Sequence, residues 1–188
     1  MYIKKLLQSE KTIFSTDDFR LIFGLKMPYL SIVIGRLIKK GDLIRIKKGL
    51  YCVLRQKNLN HLELAKKLKS PSYISMETVL AKEGVVFQDY SQTIFCISNN
   101  SVTIKILGLD YKYYKMKDSV LLNPLGINND NGFMIASVER AICDRLYFSP
   151  KYYFDNIDNI DKEKIIKISK IYNNKRLEKE VKNLISQC

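Results

Sequence analysis

MPYLSIVIGRLIKKGDLIRIKKGLYCVL, residues 27–54, decides how this chain folds at its N-terminal end. Leu30, Val33, Ile34 and Leu37 stand at i, i+3, i+4 and i+7, so at 100° per residue they share one face of a helix and are expected in a core. Pro28 suits a first helical position, where its missing N–H costs nothing, and Gly41 ends the helix after Lys40. The opposite arc carries Tyr29, Ile32, Arg36, Lys39 and Lys40. Beyond Gly41, two apolar runs flank a short turn ending at Gly49. This is the pattern of a β-hairpin with Arg45, Lys47 and Lys48 at or near its tip.

Upstream, the spacing of Tyr2, Ile3, Leu6 and Leu7 predicts a first helix that ends near Ser9. A second is predicted from Thr16 as N-cap, with Asp17 and Asp18 in its first turn and Phe19, Leu21, Ile22 and Phe23 running up to Gly24. Three helices followed by a charged hairpin is the order of a winged helix-turn-helix. In that fold the third helix enters the major groove, with Tyr29, Ile32, Arg36 and Lys39 toward bases or groove, and Lys40, Arg45, Lys47 and Lys48 toward phosphates. A basic exposed helix taken alone is equally a solvated face, and some winged helices make only protein contacts. Helix and hairpin together favour double-stranded DNA.

The charge distribution agrees. The chain has 188 residues with a net charge of +13 from 32 basic and 19 acidic side chains. Residues 1–57 hold 13 basic against 4 acidic groups, leaving 19 against 15 for the rest. The composition, 46% hydrophobic and 27% charged, is that of a folded protein. Its length suits one small and one medium domain, here 1–57 and 58–188, with Arg55–Asn60 as linker. The longest apolar runs are three or four residues where a membrane span needs roughly 20, and no secretory pattern follows Met1–Leu7, so no membrane partner and a cytoplasmic location are expected.

Downstream, helices are predicted at His61–Leu68 and Ser75–Lys82, separated by Ser70-Pro71-Ser72. Strands are predicted at Thr93–Ser98, Val102–Leu107, Tyr111–Met116, Val120–Leu122 and Phe133–Ala136. Ser137 reads as the N-cap of a helix through Phe148, and two more helices follow at Asp161–Tyr172 and Asn174–Ser186. The fold class is therefore α+β, a winged helix-turn-helix followed by an α+β domain with a small sheet and several helices.

Catalytic signatures are lacking. No Gly directly precedes Lys and none stands two places before Ser, which excludes a Walker A loop and a G-x-S-x-G elbow. His61 is the single histidine, and Cys52, Cys96, Cys143 and Cys188 are each more than forty residues from the next, which is not zinc spacing. The cysteines are expected to be reduced and to fill apolar gaps. No metal, cofactor or enzymatic activity is expected. Glu77, Glu139 and Asp144 could converge as a carboxylate site, but solvated or salt-bridged roles fit them better. Tyr111, Tyr113 and Tyr114, interleaved with Lys112 and Lys115, read either as an aromatic-basic nucleic-acid surface or as ordinary strand residues.

Three motifs in order resemble a known family. They are Lys47-Lys48-Gly49-Leu50-Tyr51; Tyr73-Ile74-Ser75-Met76-Glu77-Thr78-Val79-Leu80 followed by Gly84; and Ile135-Ala136-Ser137-Val138-Glu139-Arg140-Ala141-Ile142-Cys143-Asp144. The chain is similar in these to the AbiEi-type antitoxins of bacterial abortive-infection toxin–antitoxin pairs. The family pattern Ala-x-x-Glu-Lys-Ala-hydrophobic-x-Asp is met by Ala136, Glu139, Ala141 and Asp144, with Arg140 in place of the lysine. The resemblance implies a phage-defence repressor of its own operon that binds its promoter and counters a nucleotidyltransferase-type toxin. It also implies that Tyr73, Ser75, Glu77, Glu139, Arg140 and Asp144 are the antitoxin-domain motif. Two other readings stay open: a winged-helix regulator whose second domain senses a ligand, and a metal-dependent nuclease-like enzyme.

Overall fold

The computed structural model describes residues 2–9, 11–53, 59–130 and 132–186, and divides into two compact units, Met1–Leu64 and Ala65–Cys188. Most of the linker expected at Arg55–Asn60, with the boundary placed at residue 57, lies outside the described residues, as does Cys188. Asn60, at the linker's end, caps a helix instead: its Oδ1 accepts from the N–H groups of Leu62 and Glu63. That helix, His61–Leu68, contains the division between the units.

The first unit is built from α1 (Tyr2–Leu7), β1 (Ile13–Ser15), α2 (Thr16–Phe23), α3 (Tyr29–Lys39), β2 (Leu43–Lys47) and β3 (Leu50–Val53). Its core gathers Leu6, Phe14, Phe19, Phe23, Leu30, Ile34, Leu37, Leu43, Tyr51 and Val53. Phe19 stacks on both Phe14 and Phe23, with ring centroids 5.7 and 5.4 Å away, and so locks α2 against β1. Val33, expected inside, is only half-buried. Ser15, not Thr16, caps α2. The Ser15 Oγ accepts from the Asp18 N–H at 3.1 Å, and the Asp18 carboxylate accepts from the Ser15 N–H at 2.7 Å, a reciprocal capping box. Pro28 likewise stands one place before the helix, as its N-cap.

β2 and β3 form the expected hairpin, turning through Gly49 at φ +80°, with an irregularity between Arg45 and Lys47. The short strand β1, not anticipated, pairs antiparallel with β3 (Phe14 opposite Tyr51) and makes a three-stranded sheet in the order β1-β3-β2.

The second unit opens in α4 (His61–Leu68) and continues with β4 (Ser72–Ile74), α5 (Glu77–Lys82), β5 (Thr93–Ser98), β6 (Val102–Ile106), β7 (Leu109–Lys115), α6 (Asp118–Leu121), β8 (Ile127–Asp130), β9 (Phe133–Ala136), α7 (Val138–Phe148), α8 (Lys162–Lys170) and α9 (Lys175–Ile185). The strands form a mixed sheet in the order β6-β7-β5-β4-β9-β8, parallel at β5–β7 and β4–β9 and antiparallel elsewhere. Helix α7 is the hub, packing against α5, α8 and α9.

Two expectations need correcting, and one open alternative is decided. Val120–Leu122 is not a strand: Val120 and Leu121 belong to the helical turn α6, because three apolar residues carry no period and the Leu121 and Leu122 N–H groups bond back to Lys117 and Asp118. The helix expected from Ser75 starts at Glu77. Ser75 stays with the sheet, donating its N–H to the Phe95 carbonyl, and the chain turns only at Met76, whose φ is +54°. The tyrosines of β7 are not a surface: Tyr111 and Tyr113 are fully buried, and Tyr114 packs against Phe95 and Phe148. Cys52, Cys96 and Cys143 are free and buried.

Candidate nucleic-acid interface and the buried motif

The exposed arc of α3 has the expected residues on it. Tyr29 is 70% and Ile32 48% exposed, and Arg36, Lys39 and Lys40 are exposed beside them. Tyr29 and Ile32 stand one turn apart, so their apolar surface lies on the same face as these cations. On the hairpin, Arg45, Lys47 and Lys48 are all exposed. The acids of α2 are taken up locally, Asp17 by Arg20 at 2.9 Å and Asp18 by Lys11 at 2.6 Å. For Asp18, burial raises the pKa, but the bonds from Lys11 and Ser15 outweigh it and hold the carboxyl below its usual range.

The two flanks of α3 differ. On one side Arg36 and Lys40 border a groove shared with Tyr2, Ile3 and Asp42. On the other, a cleft of about 420 Å³ separates α3 from the hairpin, lined by Met27, Ser31, Gly35 and Ile38 from the helical side and by Arg45 and Lys48 opposite. Ser31 and Gly35 were not singled out in the sequence. Small residues give no charge or aromatic signal, and their relevance depends on where the hairpin folds back.

The second-unit motif has a different character: Tyr73, Ser75, Glu77, Glu139, Arg140 and Asp144 are all buried. Four of them meet. The Asp144 carboxylate, with no exposed surface, accepts hydroxyl hydrogens from Ser75 at 2.7 Å, Tyr73 at 3.1 Å and Tyr172 at 2.6 Å. Arg140, one turn earlier on α7, sits 3.7 Å from it through Nε. The guanidinium lies against the rings of Tyr73 and Tyr172, with its carbon 5.3 and 5.4 Å from their centroids. Its Nη atoms donate to the carbonyls of Val120 and Leu125 and to the Tyr73 hydroxyl. One side chain thus ties α7 to α6, to the loop after it and to β4.

Burial is the main influence on these groups. It pushes the Asp144 carboxyl above the ordinary carboxylate range, with Arg140 and the three hydroxyls pulling the other way. Burial opposes the charge on Arg140, yet Tyr172, Tyr73 and Asp144 more than offset it and raise its pKa. Burial and the Asp144 charge carry the Tyr73 and Tyr172 phenols well above their usual value. Neither the Asp144 carboxylate nor the Arg140 guanidinium has surface open to solvent.

Glu77 and Glu139 go elsewhere. Glu77 lies 3.2 Å from Arg145, itself over the Tyr152 ring, and Glu139 is paired with Lys164 at 2.7 Å and accepts from Ser137. Among the described residues no group of three or more His, Cys, Asp and Glu side chains could hold a metal. The three acids therefore do not form a common carboxylate site. Tyr172, which completes the Asp144 shell, was missed because it is one of 12 tyrosines and nothing in the text at the end of α8 marks it. Gly126 was missed too. Its φ is +74°, and a Cβ there would come within 2.8 Å of Ile168 and 3.0 Å of the Arg140 Cβ.

A charged helix-and-hairpin face thus stands on the small N-terminal unit. Residues 1–54 match the family model described as transcriptional regulator, AbiEi antitoxin, the family that the sequence motifs resemble. The fold is similar to the crystal structure of the RV2827C protein from Mycobacterium tuberculosis, with a TM-score of 0.57 at 9% identity, over 98% of this chain and 79% of that one. No curated protein matches the chain. Among the described residues no helix is long and apolar enough to cross a membrane.

Proposed function

We propose that the protein is a DNA-binding antitoxin that represses its own operon, its first unit acting as a winged helix-turn-helix. The observation that carries the reading is the face formed by Tyr29, Ile32, Arg36 and Lys39 on α3 beside Arg45, Lys47 and Lys48 on the hairpin. The family match over residues 1–54 supports it. In this reading α3 lies in the major groove, with Arg36 on a guanine edge and Ile32 and Tyr29 against thymine methyls, while Lys40 and the hairpin cations meet phosphates. Repression follows from occlusion of the promoter. The functional partner is a nucleotidyltransferase-type toxin, as the resemblance implies, and the motif on α7 acts by positioning the second unit and does no chemistry of its own.

The test places the DNA upstream of the protein's own gene in front of a reporter and supplies the protein in trans. Wild type is expected to lower expression, and Arg36→Ala to relieve most of that repression at equal protein level. Unchanged reporter output with wild type would end the autorepressor reading.

A further inference from the structure

All eight glycines of the chain lie among the described residues. Seven have φ between +68° and +91°, a region that strains other residues. Gly35 is the exception: it lies in the middle of α3, exposed, and a Cβ built on it meets nothing within 4 Å. A mid-helix glycine weakens a helix relative to alanine, so neither the backbone conformation nor the packing of this unit calls for one here. Its surroundings do suggest a use. Gly35 opens onto the cleft of about 420 Å³, with Ser31 one turn before it on the helix wall and Arg45 and Lys48 on the facing hairpin. Two cations and a stretch of helix that lacks a side chain at Gly35 thus line the same cleft.

We propose that Gly35 is the point of closest approach between α3 and a DNA strand whose phosphates are held by Arg45 and Lys48. The missing side chain lets the sugar-phosphate chain rest against the helix backbone while both cations reach it. The inference depends on the DNA-binding reading above and adds the strand's path and the residue that admits it. The β-carbon of Gly35→Ala would stand in that path, lifting the strand away from Arg45 and Lys48.

The test uses full-length protein and a labelled fragment of the DNA upstream of its own gene. Gly35→Ala is expected to bind about tenfold more weakly, with the slope of log affinity against log salt shallower by about 2 as two phosphate contacts are lost. Amide exchange within α3 should slow by about fivefold, because alanine favours the helix. Binding equal to wild type, or weaker binding with an unchanged salt slope, would overturn the proposed path. Faster exchange in α3 would overturn it as well, by giving Gly35 a role in the fold. If wild type itself fails to bind, the DNA reading falls, whatever Gly35 does.

Discussion

Arg140 shows how much one side chain can organise. Its planar fork uses geometry that an ammonium lacks: two carbonyls, one phenol and two ring faces at once. Asp144→Ala should destabilise the second unit by about 3–5 kcal/mol, because it strands a buried guanidinium. Adding Arg140→Met should recover part of that loss in urea denaturation, whereas additive losses would show the pair to be uncoupled. Glu139 gives the pH dependence. Burial raises its pKa, but the bonds from Lys164 and Ser137 prevail and lower it. A carboxylate with a lowered folded pKa contributes stability above its unfolded value, near 4.5, and loses it as pH falls through the folded value. Lys164→Met should therefore flatten the acid-side loss of stability below about pH 4.5, and an unaltered profile would exclude this pair as its source. Asp144 works in the opposite sense, since its raised pKa gives stability at low pH that is lost as pH rises through it.

At the scale of elements, α3 and the hairpin were legible because their signals are local: a four-residue apolar stripe, glycines at the ends, and alternation around Gly49. The helices α4 and α7 and the strands β5 and β9 were legible for the same reason. The short strands β1, β4 and β8 were not. Three or four residues such as Ile127-Asn128-Asn129-Asp130 are strands only because a partner strand takes up their backbone groups. The α3 face makes its own prediction. If Arg36 reads a base with two hydrogen bonds, Arg36→Ala should reduce discrimination between operator and scrambled DNA by about 1–3 kcal/mol. Equal weakening on both fragments would make it a phosphate contact instead.

For the whole molecule, the proposed reading gives its two functions to different units. Exchanging Arg45, Lys47 and Lys48 together for glutamine should abolish operator binding in the full chain yet leave protection against a co-expressed nucleotidyltransferase-type toxin. Arg140→Lys should do the reverse, with DNA binding kept and protection reduced. Loss of both by either variant would mean that the units act as one device. The candidate site was legible only in part at this scale. The sequence marked the charged residues of the proposed interface but not Ser31 and Gly35. The resemblance placed Tyr73, Ser75, Glu77, Glu139, Arg140 and Asp144 in one motif, of which Glu77 and Glu139 go elsewhere, and gave no sign of Tyr172 or Gly126, which three-dimensional packing alone brings to the rest.

The most direct measurement is equilibrium binding of the purified full-length protein to the DNA upstream of its own gene, against scrambled DNA of equal length, across a salt series. With about six phosphates neutralised, the slope of log affinity against log salt should be near −5, and preference for the upstream fragment should persist at near-physiological salt. Equal binding to both fragments that vanishes as salt rises would contradict the account and reduce the basic face to a non-specific electrostatic patch.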